Sequence, residues 1–207
     1  FDLDGTLLDT LDDLADSMNR TLAANDLPTH PVEAYKYFVG AGMRALAHRV
    51  LPEDRKGDTA IEDVLFEGAR SEYAKRWAEK SRPYDGVPEM LDELTRRGIR
   101  LAVLTNKPDD FAQLCVNELL GHWKFDIIQG VSEAVPPKPD PTGAQLVTRE
   151  FGIPAEEFLY VGDTAIDMKT GTGAGMFTVG VLWGFRLADE LLGNGAMTLI
   201  SQPSELI

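Results

Sequence analysis

Cysteine is nearly absent: Cys115 is the only one in 207 residues. An intramolecular disulfide is therefore excluded, and a reducing, cytoplasmic setting is expected. Cys115 lies among apolar residues of a predicted helix and reads as buried filler. Histidine is scarce too. His30, His48 and His122 are the three, and none pairs with an acid or cysteine at metal-ligand spacing, so structural or surface roles are expected. No apolar run approaches the ~20 residues of a membrane-spanning helix, and no signal-peptide pattern is present. Positive charge is outweighed, 20 Lys and Arg against 34 Asp and Glu, for a net −14. Nucleic acid is therefore not an expected partner, because a phosphate backbone needs a basic footprint; nor is a membrane. The phosphate loop G-x4-G-K-[ST] is missing, which removes nucleoside triphosphate binding by that route. Gly171-x-Gly173-x-Gly175 ends a predicted helix instead of following a strand, so helix-end packing is its reading.

From residue 83 onward, strand and helix patterns alternate. Residues 87 to 97 form an amphipathic helix stopped at Gly98, and 100 to 104 a strand. Residues 109 to 120 read as helix, 125 to 129 as strand and 141 to 151 as helix. Then come strand 158 to 161, helix 166 to 174, strand 177 to 181 and a last edge strand at 197 to 200. Such alternation predicts an α/β fold: a Rossmann-like parallel sheet core with helices on both faces. Residues 10 to 82 carry no convincing strand. Leu11, Leu14, Ala15, Met18 and Leu22 recur at helical spacing, as do Met43, Leu46, Ala47 and Val50, and Ile61, Val64, Leu65, Ala69 and Tyr73. The expected organisation is a core of residues 1–9 and 83–207 with a helical insertion at 10–82, its two crossings acting as hinges. Central strands ordinarily begin several residues before a position like Phe1, so a short upstream segment is expected in the natural protein.

The chemistry-bearing residues fall at predicted strand ends. Phe1-Asp2-Leu3-Asp4-Gly5-Thr6 places two carboxylates at the carboxyl end of a short apolar run, where open α/β sheets bind ligands. The run 101–104 ends in Thr105-Asn106, and the run 159–161 in Gly162-Asp163, with Asp167 four residues on. Between these lies Lys138, bracketed by Pro137 and Pro139. A nucleophilic acid, an anion-binding hydroxyl, a fixed positive charge and a hard-oxygen metal site make one constellation.

This ordered set resembles the haloacid dehalogenase-like phosphohydrolase superfamily, whose four motifs match Asp2-x-Asp4-Gly5-Thr6, Thr105-Asn106, Lys138 and Gly162-Asp163-x3-Asp167. The resemblance implies a phosphomonoesterase using Mg²⁺. In that reading Asp2 is the nucleophile that forms an aspartyl-phosphate. Asp4 protonates the leaving alcohol and then activates water. Thr105, Asn106 and Lys138 bind phosphate, with Thr105 and Lys138 counted as catalytic. The metal is held by Asp2, the Asp4 carbonyl and Asp163, while Asp167 orients Lys138 or metal-bound water. Lys107 is expected at the surface. The helical insertion corresponds to a C1-type cap. The segment from Phe38 to Arg49 resembles the cap loop of phosphoglycolate phosphatases, which implies substrate selection by Gly40, Gly42, Arg44 and Arg49, and residues 181 to 186 look like the same subfamily's segment after its last core strand. The expected ligand is a small phosphorylated metabolite, 2-phosphoglycolate first, acted on by a monomer or homodimer. A β-phosphoglucomutase-like mutase and a catalytically idle phospho-ligand-binding protein stay open as alternatives.

Overall fold

The computed structural model describes residues 1–207. Its contacts divide the chain into two units, Phe1–Asp9 with Pro83–Ile207, and Thr10–Arg82.

In the first unit, the strands Ala102–Pro108, Ile127–Val131, Leu159–Gly162, Phe177–Val181 and Thr198–Ile200 alternate with the helices Val87–Arg96, Asp109–Leu119, Thr142–Phe151, Ala165–Gly173 and Ala188–Gly193. Val87–Arg96 shows why such elements form. Gly86 enters it with φ 84, a proline occupies its first turn, and Val87, Met90, Leu91 and Leu94 bury one face at helical spacing. Gly98, at φ 71, follows its end. Ala102–Pro108 pairs in parallel with Ile127–Val131. Leu159–Gly162, Phe177–Val181 and Thr198–Ile200 form a second parallel ladder.

The first residues join the two ladders. The Phe1 nitrogen donates to the Ala102 carbonyl at 2.9 Å. The Leu104 N–H donates to the Phe1 carbonyl and the Asp2 N–H to the Val161 carbonyl, each at 2.9 Å. Phe1-Asp2 thus runs between Ala102–Pro108 and Leu159–Gly162. Successive strand residues face opposite ways, so Tyr160 packs with Leu104, Ala144 and Met176, whereas Val161 packs with Val179, Val181 and Ile200 on the other face. This two-faced burial gives the parallel α/β core its helix layers on both sides.

Two details depart from the sequence reading. The strand expected to end at Leu104 runs on to Pro108, with a register shift between Leu104 and Pro108. Gly130 makes room for it: a Cβ there would stand 2.7 Å from the Lys107 carbonyl. The short helix Ala188–Gly193 was not anticipated.

The second unit is helical, built chiefly on Leu11–Ala24, Met43–Arg49 and Thr59–Arg76. Its buried stripe includes Leu14, Met18, Leu22, Leu46, Leu65, Ala69 and Tyr73. Val64, expected on that stripe, is 46% exposed. It sits one residue, about 100°, off the i, i+4, i+8 line of Leu65, Ala69 and Tyr73.

Asp13 is a buried carboxylate in the first turn of Leu11–Ala24. It accepts the Lys80 N–H at 3.0 Å, the Ser81 N–H at 2.8 Å and the Ser81 hydroxyl at 2.7 Å. These bonds tie the start of the unit to its last residues. Hydrogen bonds to a charged group are worth about 1.5–3 kcal/mol each. Asp13→Ala is therefore expected to cost about 3 kcal/mol in urea unfolding and Ser81→Ala about 1 kcal/mol. A loss below about 0.5 kcal/mol for Asp13→Ala would show that the knot is dispensable.

Candidate active site

Three carboxylates and one ammonium are buried together at the carboxyl ends of the strands. Asp2, Asp163 and Asp167 are each at most 6% exposed, and Lys138 is 4% exposed. One oxygen from each acid lies within 4.8 Å of the others. The Lys138 ammonium stands 2.8 Å from Asp2 Oδ1 and 2.6 Å from Asp167 Oδ1, and donates to the Leu104 carbonyl at 3.0 Å.

Each group is held by its own strand end. Asp2 Oδ1 also accepts the Leu3 N–H at 2.7 Å. Asp163 takes the Thr6 hydroxyl at 3.1 Å and the Phe185 N–H at 2.8 Å. Asp167 closes a capping box at the start of Ala165–Gly173, where its Oδ2 accepts the Thr164 N–H at 3.0 Å and the Thr164 hydroxyl at 2.6 Å. Both Asp167 oxygens are thus committed, to Thr164 and to Lys138. Asn106 grips Lys138 from behind: its amide donates to the Lys138 carbonyl at 3.0 Å, and its oxygen accepts the Lys138 N–H at 2.7 Å. Thr105 is buried, and its hydroxyl accepts the Lys107 N–H at 3.2 Å.

Bare backbone makes the cluster possible. A Cβ on Gly5, Gly162 or Gly184 would fall on Asp163 or Asp167 closer than any real Cβ contact. Gly5 also needs its left-handed φ of 92.

Sequence reasoning brought together Asp2, Asp163, Asp167 and Lys138, and the structure has them in mutual reach. It missed several supports. Lys107, expected at the surface, is 6% exposed, and its ammonium contacts Asp4 Oδ1 at 2.9 Å and Oδ2 at 3.1 Å. The signal was available. Once the strand continues through Thr105, residue 107 has the same parity as residue 105. Thr6, Thr164 and the Phe185 N–H were also overlooked as carboxylate donors. Asn106, expected at the phosphate, turns its side chain to Lys138. An apolar cavity of about 520 Å³ lies among Leu101, Leu104, Val147, Phe151, Tyr160 and Met176, and no aspartate lines it.

The candidate selectivity residues lie in the second unit. Gly40 and Gly42 have φ of 103 and 86, and Gly42 immediately precedes the helix Met43–Arg49. Arg49 donates to the Phe38 carbonyl at 3.0 Å, bracing that turn. Arg44 is paired with Asp63 at 2.5 Å, both well exposed, and covers the Phe66 ring at 4.3 Å.

The model of the haloacid dehalogenase-like hydrolase family matches residues 1–181. The chain belongs to this family. A phosphoglycolate phosphatase from Pseudomonas syringae pv. tomato is 33% identical over 207 residues, covering 96% of this chain and 74% of the relative. An N-acetylmuramic acid 6-phosphate phosphatase from Pseudomonas aeruginosa is 30% identical over 212 residues, covering 100% and 91%. The crystal structure of a candidate phosphoglycolate phosphatase from Lactobacillus delbrueckii subsp. bulgaricus superposes with a TM-score of 0.93 at 28% identity, covering 100% of this chain and 94% of that one. The protein is a phosphatase of the haloacid dehalogenase-like family.

Electrostatically the cluster is short of positive charge. Burial, then the Asp167 charge, pushes Asp2 up to about 6 in spite of Lys138. Burial pushes Asp163 well above the carboxylate range, with Asp167 and Asp2 adding to it. Burial alone would lower Lys138, but the Asp167 and Asp2 carboxylates hold it well above its ordinary value. An acid raised on folding contributes stability that is present below its unfolded pKa of 3.8 and lost as pH rises through about 6. Removing the Asp2 charge should therefore help most at neutral pH. In metal-free buffer, Asp2→Asn is expected to gain melting temperature relative to wild type as pH goes from 4 to 7. A difference that stays flat across that range would refute the strained cluster.

Proposed function

We propose that this phosphatase hydrolyses the phosphomonoester of a small metabolite, with 2-phosphoglycolate the foremost substrate, through an aspartyl-phosphate on Asp2. The observation that carries the reading is the buried set itself: Asp2 at a strand end, held by Lys138 and facing Asp163.

The donor set fits a divalent cation. Three buried carboxylates face one buried ammonium, so two negative charges are left over, and every available ligand is a hard oxygen, as Mg²⁺ prefers. The family resemblance assigns the ion to Asp2, Asp163 and the Asp4 carbonyl, and leaves Asp167 to Lys138 and Thr164, which it contacts in this structure. Bound there, Mg²⁺ supplies charge stabilisation for the phosphoryl group.

The chain's own residues do the rest. The Asp2 carboxylate attacks phosphorus, an O–P bond forms, and the ester P–O bond breaks. Asp4 delivers a proton to the departing oxygen. Asp4 then takes a proton from water as that water attacks, which releases phosphate and regenerates the Asp2 carboxylate. Lys138 and the Thr105 hydroxyl face charge building on the phosphoryl oxygens. Asn106 and Asp167 keep Lys138 in place.

The relatives' names support the substrate class: one acts on phosphoglycolate, the other on a hexosamine-derived phosphate. In our reading the helical unit Thr10–Arg82 selects between such substrates. Arg49 donates to the Phe38 carbonyl just before the Gly40–Gly42 turn, and Arg44 pairs with Asp63; both stay candidates for reading the substrate. A cytoplasmic location is in keeping with a chain whose one cysteine is buried.

Two experiments test these assignments. Asp2→Asn is expected to lose a factor of ~10⁴–10⁶ in kcat with its fold retained by circular dichroism. Chelator is expected to abolish wild-type turnover and Mg²⁺ to restore it, with Ca²⁺ a poor substitute. Asp2→Asn within tenfold of wild type, or full activity in excess chelator, removes the covalent or metal-dependent reading respectively. For the substrate, kcat/KM measured on 2-phosphoglycolate, N-acetylmuramic acid 6-phosphate and glucose 6-phosphate should rank the first highest. A higher value on either sugar phosphate moves the assignment there.

A further inference from the structure

Lys138 accounts for the charge around Asp2, but a second buried lysine has no place in that scheme. Lys107 is 6% exposed, and its ammonium reaches both oxygens of Asp4, at 2.9 and 3.1 Å. A buried lysine is costly unless its charge is met, and here it is met by the acid two residues from Asp2. The geometry around Lys107 is built. The strand Ala102–Pro108 is prolonged past Leu104 with a register shift. Gly130 lies close against the Lys107 carbonyl, and the Thr105 hydroxyl accepts the Lys107 N–H at 3.2 Å. The residue that offers its hydroxyl at the strand end therefore also fixes the backbone from which Lys107 reaches Asp4.

We propose that Lys107 is a positioning residue for Asp4. Its ammonium contacts both oxygens of the Asp4 carboxylate and fixes its orientation toward the leaving or attacking oxygen, one of the two contacts giving way when that carboxyl carries the transferred proton. Asp2 shares Lys138 with Asp167, whereas Asp4 is contacted by a different lysine, Lys107. The inference rests on the reading of Asp4 as the proton donor and acceptor.

The consequence is energetic coupling between residues 107 and 4. An acid misplaced by about 1 Å can lose on the order of 10²-fold in rate. Lys107→Met is expected to lower kcat by about 10²-fold on an alkyl phosphate such as 2-phosphoglycolate, with KM little changed. On p-nitrophenyl phosphate, whose leaving group needs little protonation, the loss should be about tenfold or less. Lys107→Arg keeps the charge and the two-pronged grip and should recover most of the rate.

The decisive measurement is a double-mutant cycle in kcat on the alkyl phosphate. In an Asp4→Asn background, Lys107→Met should cost less than about threefold, because the group it positions is already gone. The same large loss in both backgrounds would overturn the proposal, since Lys107 would then act without Asp4. Near-UV circular dichroism checks that Lys107→Met is folded. Should it not be, Lys107→Gln, which is smaller in its demands and polar, enters the same cycle. The single mutant Asp4→Asn separates the two claims. Equal losses on alkyl and aryl phosphates would remove the proton-transfer reading of Asp4, while the coupling between 107 and 4 would still decide whether Lys107 positions it.

Discussion

One ammonium sits among three carboxylates, and the arrangement of the strand ends follows from that imbalance. Lys138 bridges Asp2 and Asp167 from a nearly inaccessible position. A buried charge has to be paired and hydrogen-bonded, or it will neutralise or unfold its surroundings. Lys138 meets this demand with two carboxylates and the Leu104 carbonyl. It cannot drift, because Asn106 clips its peptide group from both sides. With the lysine engaged by Asp2 and Asp167, Asp163 is met by neutral donors, the Thr6 hydroxyl and the Phe185 N–H. Burial, with the neighbouring carboxylates adding to it, raises Asp2 and Asp163, and the surplus of negative charge suits the same oxygens to a divalent cation.

The acids can crowd this closely because the backbone around them carries so little. Gly5, Gly162 and Gly184 come from three separate stretches of chain, and each presents a bare Cα to Asp163 or Asp167. Residues 183 to 185 add a second constraint. The Trp183 indole N–H donates to the Thr6 carbonyl at 3.0 Å, and the Phe185 N–H to Asp163. The turn after Asp4 and the loop after Phe177–Val181 are therefore tied to one another across the Asp163 carboxylate. A parallel sheet delivers these pieces to one place because its strands all end on the same edge.

Much of this could be read from residue types and spacing, and the gaps have physical causes. Alternating strand and helix patterns from residue 83 onward identified the parallel core, since each buried strand there is a short apolar run closed by a polar end. Asp2, Thr105 and Asp163 were legible because they follow apolar runs, Asp167 by its spacing from Asp163, and Lys138 by the prolines that flank it. Lys107 was not, because the strand was taken to stop at Leu104. The prolongation depends on Gly130 in a neighbouring strand, which no local pattern around residue 104 announces. The Asn106 side-chain bonds to the Lys138 backbone were not legible, since an amide beside a hydroxyl looks the same from sequence whether it faces a ligand or a peptide group. Val64 failed for a simpler reason. Ile61, Val64, Leu65, Ala69 and Tyr73 all fit a loose helical stripe, yet only Leu65, Ala69 and Tyr73, on the i, i+4, i+8 line, are buried.

The Asp-x-Asp pair shows how neighbouring identical groups acquire different characters. Residues two apart on a strand would share a direction and, left alone, a solvent environment. Here Leu3 is fully buried between them, and Gly5 turns the chain at once, so Asp4 leaves the sheet while Asp2 stays in it. Asp2 keeps 8% of its side chain exposed and shares Lys138 with Asp167, whereas Asp4 keeps 18% and has Lys107 bound to both oxygens. One acid thus shares its lysine with another carboxylate, and the other is contacted by a separate lysine. A carboxylate in excess of its counter-charge is suited to bonding a phosphorus atom or a metal ion. A carboxylate held in one orientation by a lysine is suited to meeting a leaving or attacking oxygen from a fixed direction. The chemistry of the two roles is separated by the placement of two lysines, more than by any difference in the acids themselves.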